Sequence, residues 1–193
     1  MYATECFIPL AYGGGMTSLT QMEQVFAAGF EKVVLNTVLR SDPAVVEAPL
    51  GTSDPQAITA SIDVRGGDSG SWQVCVRGGS EPTGSHPVEW ARRAEELGAG
   101  EILLTSVDRE GTMSGFDPEL CAAVSQAVDV PVIAHGGAGK RKHLADPIRH
   151  SGASAVGAGS LFVFQGLGRG VLINYPNRSQ IERLVAHDRQ HRG

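Results

Sequence analysis

Glu101–Gly115, EILLTSVDREGTMSG, is the stretch on which the reading of this chain turns. Ile102 to Val107 has the make-up of a short buried strand, apolar until Thr105 and Ser106 interrupt it near its end. Asp108, Arg109, Glu110, Gly111 and Thr112 follow, all polar or conformationally permissive. In a parallel α/β protein, chemistry sits at the carboxyl ends of the strands. A strand ending in hydroxyls, acids and a glycine is therefore a candidate active-site edge, with Thr105 and Asp108 on its rim. The plain alternative is an ordinary βα loop with a solvated Asp-Arg-Glu turn.

Working outward, the same pattern recurs upstream. Phe7–Tyr12 reads as a strand running into Gly13, Gly14 and Gly15, a turn whose N–H groups can approach an anion closely. A helix follows over about 18–28, capped by Thr17 or Ser18 and ended by Gly29. Lys32 begins the next strand, which ends in Asn36 and Thr37, an amide and a hydroxyl at the same rim as the glycines. Pro43 starts a weak helix that Pro49, Gly51 and Pro55 break up. Ala57–Val64 is a further strand with Asp63 near its carboxyl end. A buried carboxyl there needs a partner, and as a functional group it is a candidate general acid or base. An insertion over 66–84 contains an alternating stretch, Trp72–Val76, fit for a small hairpin.

Downstream, 86–97 and 117–127 read as helices, and 130–134 as a strand ending in His135, Gly136, Gly137, Ala138, Gly139 and Lys140. Such a glycine-rich turn before a helix can cradle a phosphate. A helix over 142–150, a strand over 153–156, a third glycine-bearing loop with Gly157, Gly159 and Ser160, and a terminal helix over 178–189 complete the order. Repeated βα units with polar rims point to a (β/α)8 barrel, with a doubly wound sheet as the competing fold.

Composition limits the function classes. The 193 residues suffice for one domain with a sizeable core. A net charge of −5 and only 6% aromatic residues argue against a nucleic-acid surface. No apolar run has the length of a membrane span and no signal peptide is visible, so a cytoplasmic location is expected. The odd, widely spaced cysteines Cys6, Cys75 and Cys121 read as reduced and buried. His187 and His191 have i,i+4 spacing, but beside Asp188, Arg189 and Arg192 they read as a solvated tail, and no metal site or cofactor is expected.

The segments PLAYGGG, EKVVLNT, SIDVR, GAGEILLTSVDREGT, IAHGGAGK and GAGSLF, in this order, resemble the cyclase subunit of imidazole glycerol phosphate synthase, a (β/α)8 barrel of the ribulose-phosphate-binding type. The resemblance implies an ammonia-dependent lyase and cyclase of histidine biosynthesis, acting on a phosphoribulosyl formimino substrate with a phosphate at each end. It further implies one phosphate site at Gly15, Asn36 and Thr37, and another at Gly111, Gly136, Gly137, Gly159 and Ser160. Asp63 falls on one of the family's catalytic aspartates. Lys32 and Glu101 fall on a charged ring that gates ammonia from a glutaminase partner. Arg65, Glu110 and His135 depart from the pattern, standing where lysine, aspartate and a small residue are expected. The segment from Phe162 to Leu184 looks more like paralogues that work with a glutaminase on acetamidino sugars of bacterial surface polysaccharides, which is the alternative function.

The resemblance begins inside the family's second βα unit, so about six units, strands 3–8 of the barrel, are expected as one truncated domain. The other catalytic aspartate belongs to the family's first strand. Six strands leave two sheet edges open. The chain alone is accordingly expected to be a fragment, inactive or nearly so.

Overall fold

A computed structural model describes residues 7–47, 57–66, 71–165, 170–171, 173 and 175–186. Its parallel strands are β1 (Ala11–Gly13), β2 (Lys32–Leu35), β3 (Ile58–Gly66), β6 (Glu101–Ser106), β7 (Val132–His135) and β8 (Ala155–Val156). Between β3 and β6 lie β4 (Trp72–Val76) and β5 (Glu81–Pro82). The parallel strands pair in chain order, β1-β2-β3-β6-β7-β8. A doubly wound sheet reverses its order at a switch point, whereas a barrel does not. The consecutive order therefore excludes the competing fold and gives an incomplete barrel wall.

The helices cover one face of this wall. They are α1 (Leu19–Ala27), α4 (Pro87–Glu96), α5 (Pro118–Ser125) and α6 (Asp146–His150), with short turns α2 (Val38–Ser41) and α3 (Ala44–Glu47) after β2. Their starts obey local chemistry: Ser18, His86 and Asp117 side chains accept from the N–H groups of Gln21, Val88 and Leu120, and Pro87 and Pro118 take first-turn positions. Alternate strand residues project to opposite faces. Val33, Leu35, Ile58, Ala60, Ile62, Val64, Ile102, Leu104 and Val132 are accordingly buried in one core with Met22, Ala91, Ala94, Leu120 and Val124. The other parity, including Lys32, Ser61, Asp63, Thr105 and His135, projects to the face away from the helices.

Several expected elements differ in extent. Phe7 to Leu10 are not in β1; Phe7 and Ile8 are exposed, because β1 finds its partner only from Ala11, opposite Lys32. The expected helix over 142–150 is a 3-10 turn at Arg141–Leu144 followed by α6, divided at Ala145; Pro147 takes a first-turn position of α6, where its N–H is not needed. The last parallel strand is only Ala155–Val156. The alternating stretch Trp72–Val76 is a strand that pairs antiparallel with both β3 and β5. A one-turn α7 (Ser160–Val163), the small pair β9 (Phe164–Gln165) and β10 (Gly170–Val171), and α8 (Arg178–Ala186) close the order. The rest of the expected terminal helix, with His187, lies outside the described residues, as do His191 and Cys6. Cys75 and Cys121 are buried free thiols.

Ile62 and Ile102 are fully buried in the central strands. Ile62→Ala should lower the unfolding free energy by roughly 2–5 kcal/mol, from lost transfer energy and the cavity left behind. A shift in urea midpoint with an unchanged m-value would check it.

Candidate functional site

Asp63 sits where β3 changes neighbours. β2 stops at Leu35, opposite Ala60, and β4 takes over that edge of β3 from Asp63 to Gly66. Between the end of β2 and the hairpin, a cleft of about 390 Å³ opens. It is lined by the Gly13–Gly15 turn, Asn36, Thr37, Asp63, Arg77 and Gly78, among others. Four residues singled out from sequence, Gly15, Asn36, Thr37 and Asp63, are thereby brought together. Asn36 donates from Nδ2 to the Ser61 carbonyl at 3.2 Å, which fixes its side chain at the rim.

Burial pushes the Asp63 carboxyl above its ordinary value of 3.8, against the opposing effects of His135 charge and hydrogen bonds from Asn36 and Ser61. The other neighbours of Asp63 follow from register. Cys75 on β4, Asp63 on β3, Thr105 on β6 and His135 on β7 are successive cross-strand partners, so the four form one row. Thr105 Oγ1 and His135 Nδ1 are 3.2 Å apart. His135 Nε2 lies 3.9 Å from a Glu110 carboxylate oxygen.

Asp108 reaches the same rim by a different route. Its carboxylate accepts from the Gly66 N–H at 2.7 Å and pairs with Arg65 at 3.4 Å. It thus ties the loop after β6 to the end of β3, a structural task its polar neighbourhood alone could explain. Arg77 was not singled out from sequence. It adopts φ 54, rare for a residue with a side chain, donates its N–H to Thr37 Oγ1 at 3.2 Å, and pairs with Glu81 at 2.9 Å. Its position before Gly78–Gly79 was the available signal of a turn.

The second group of glycines divides in two. A Cβ on Gly136 would lie 2.5 Å from the Ser106 carbonyl oxygen, and one on Gly137 would lie 2.2 Å from that of Gly115. A Cβ on Gly139 would strike the backbone of Met113. These glycines let the loop after β7 press against the loop after β6, and the Gly115 N–H donates to the Gly137 carbonyl at 2.7 Å. The Gly139 N–H donates to His143 Nδ1 at 3.2 Å, and burial holds that imidazole below its ordinary value of 6.5. Gly111 and Gly159 are different, since a Cβ at either meets nothing within 4 Å. Gly159 also has φ −114, so nothing local requires glycine there. Ser160 opens α7, only four residues long, too short for a substantial helix dipole.

At the opposite end of the strands, Lys32 and Glu101 form an ion pair across β3, and Thr59 Oγ1 donates to the same Glu101 carboxylate at 3.5 Å. Glu101 and Thr105 lie four residues apart on β6, so this pair sits about 13 Å from the Asp63 row. A further cleft, of about 510 Å³, lies elsewhere: Arg141, Lys142, Asp146, Arg149 and Arg183 line it between α6 and α8, and none of the singled-out residues does.

The sequence pattern of the histidine biosynthesis protein family matches residues 1–167. The chain belongs to this family. Within the histidine biosynthesis protein family, it is 42% identical over 180 residues to a Pseudomonas aeruginosa protein named provisionally as an imidazole glycerol phosphate synthase subunit, covering 93% of this chain and 72% of that protein. It is 46% identical over 158 residues to imidazole glycerol phosphate synthase subunit HisF of Alkaliphilus metalliredigens, 82% of this chain and 63% of that one. The subunit HisF of Hyphomonas neptunium is 47% identical over 163 residues, 84% of this chain and 64% of the relative. The match thus spans between 63% and 72% of these relatives' lengths. Among the described residues no helix is long and apolar enough to cross a membrane, and no three His, Cys, Asp or Glu side chains gather as a metal cluster.

Two outcomes separate packing from ligand binding. Gly137→Ala should cost roughly 1–3 kcal/mol or more, because a Cβ collides with a carbonyl at a backbone angle alanine resists. Gly159→Ala should leave the melting temperature nearly unchanged, so any loss of phosphate-ester affinity in that variant reports the ligand. Thermal melts and titration calorimetry check both. For Asp63, the raised native value means the folded state resists ionisation. The stability this gives is present below pH 3.8 and is lost as pH rises through the raised value. Asp63→Asn should therefore raise the melting temperature at pH 7, and the gain should vanish near pH 3.

Proposed function

We propose that the full-length protein is the cyclase subunit of imidazole glycerol phosphate synthase, acting on a bis-phosphorylated phosphoribulosyl formimino substrate with ammonia from a glutaminase. The observation that carries this reading is the convergence of Asp63 with Gly15, Asn36 and Thr37 on one cleft, in a chain that shares 46–47% identity with relatives named HisF. No cofactor enters this chemistry, and the protein works in the cytoplasm.

The roles follow from the residue types. The Gly13–Gly15 turn, the Asn36 amide and the Thr37 hydroxyl bind one phosphate end, with N–H and O–H donors facing anionic oxygens. Arg77 adds a positive charge at the same cleft. The loops bearing Gly111, Gly136, Gly137, Gly159 and Ser160 take the other end, at β6, β7 and β8. A substrate held at both ends lies across the row of Asp63, Thr105 and His135. Ammonia attack, chain cleavage and ring closure each need a proton moved at a fixed place. A carboxyl held partly out of water retains a proton more readily than one in solvent, which suits Asp63 to both donate and accept. Asp108 holds the rim in place. Lys32 and Glu101, at the far end of the strands, control ammonia entry from the partner.

The full-length gene should restore growth to a histidine auxotroph lacking its cyclase subunit, and Asp63→Asn should lower ammonia-dependent turnover about 10²–10⁴-fold. Failure to rescue, together with loss of surface polysaccharide when the native gene is deleted, would instead assign the protein to acetamidino-sugar synthesis.

A further inference from the structure

His135 lies in the same cross-strand row as Asp63, next to Thr105, at a position where the family resemblance leads one to expect a small residue. Its ring has a polar neighbour on each side. Nδ1 is 3.2 Å from Thr105 Oγ1. Nε2 faces the Glu110 carboxylate at 3.9 Å. A Cβ at Gly157, after β8, would come within 3.0 Å of the ring's Cδ2, so the glycine leaves room for the imidazole. At the start of α5, Asp117 shares a small cavity with the ring and stands 3.9 Å from Arg109. The charged groups around the ring are thus Asp63 from β3, Glu110 from the loop after β6, and Asp117 with Arg109 from the loop and α5. Three of these four are acids, and the Cys121 thiol of α5 lines the same small cavity.

The proton on a neutral histidine sits where the partners direct it. The Glu110 carboxylate, 3.9 Å from Nε2 and so beyond hydrogen-bond reach, acts through its negative charge, which favours a proton on that nitrogen. Nδ1 is then a bare acceptor, and the Thr105 hydroxyl must donate to it. That leaves the oxygen lone pairs of Thr105 for whatever enters the rim. When the ring gains a second proton, Nδ1–H becomes a donor. The same 3.2 Å contact can then persist only if Thr105 accepts, which turns its O–H outward. One hydroxyl therefore changes from acceptor to donor without any backbone movement.

We propose that His135 is a positioning residue of this site, whose protonation sets the direction of the Thr105 hydroxyl beside Asp63. The proposal deepens the reading of this rim as the reactive face and rests on it. With the ring neutral, the rim offers substrate N–H groups an acceptor. With the ring charged, it offers substrate oxygens a donor. The step is a proton taken from solvent onto Nδ1, followed by rotation of one O–H bond.

Two measurements on the full-length protein test this. The first follows ammonia-dependent turnover as a function of pH. A step on the order of tenfold, the worth of one hydrogen bond, is expected in the native protein. It should disappear in both His135→Gln and Thr105→Val, and remain in Thr105→Ser, which keeps the hydroxyl. A His135→Gln protein whose turnover falls equally at every pH, with the step intact, would overturn the proposal. The second records imidazole 15N shifts without substrate. The neutral ring should carry its proton on Nε2, and the Nδ1 signal should move in Thr105→Val. A neutral ring protonated on Nδ1, or an Nδ1 signal indifferent to Thr105→Val, would also overturn it. If no variant turns over substrate, the cyclase reading fails, and the 15N spectra alone then decide the role of His135.

Discussion

The six-residue parallel register between β3 and β6, from Thr59 opposite Glu101 to Val64 opposite Ser106, is the constraint on which the rest depends. Strand side chains alternate between faces, so a slip of one residue exchanges the faces entirely. In the register present, Ile62, Val64, Ile102 and Leu104 enter the helix-covered core. Asp63, Thr105 and Glu101 are held on the other face. The same pairing that buries the apolar residues aligns the polar ones, which is why this row of polar side chains needs no dedicated framework of its own.

That alternation also explains what sequence alone could and could not supply. The strands at 32–35 and 101–106 and the helices begun by Ser18 and Asp117 were legible, because periodicity and caps are local signals. The helix covering 141–150 was not read with its division, and β1 was read too long, because the apolar run Phe7–Leu10 lacks a neighbouring strand and only tertiary pairing reveals it. Asp63 was placed near a strand end, yet β3 runs three residues past it. The last two, Arg65 and Gly66, lie beyond the strand expected from sequence and are a strand because β4 folds back on them. Arg77 escaped notice for the same reason: it reaches the cleft by way of that hairpin. His135 was visible only as a departure from a family pattern; the Thr105 and Asp63 alignment that gives it meaning is a register, and registers between distant strands are not written locally.

The glycines carry a related ambiguity. A glycine-rich turn after a strand can serve an anion or can admit another backbone, and the sequence looks the same in both cases. Space around the missing Cβ distinguishes them. Gly136, Gly137 and Gly139 are surrounded by Ser106, Gly115 and Met113, so loop-to-loop contact is sufficient reason for all three. Gly159 has neither a crowding neighbour nor a left-handed backbone, so packing supplies no reason for it. Packing and binding are not exclusive in this place, because pressing the loop after β6 onto the loop after β7 is also what fixes the positions of their backbones.

Asp63 and the Lys32–Glu101 pair, about 13 Å apart along the strands, handle buried charge in opposite ways. Glu101 is almost wholly buried, but Lys32 and the Thr59 hydroxyl accompany it. A paired charge of this kind is a settled element of the fold, and removing either partner would strand the other. Asp63 has no cation in direct contact among the interactions described for it; its hydrogen bonds and the His135 charge only partly offset the cost of burial, and its carboxyl is pushed upward. An optimised structural position would have acquired a partner or become neutral. The persistence of an incompletely compensated carboxyl at the mouth of a cleft, in line with a hydroxyl and an imidazole, is a local cost to stability that packing does not explain. It is the kind of cost a site accepts when the proton itself is what has to move.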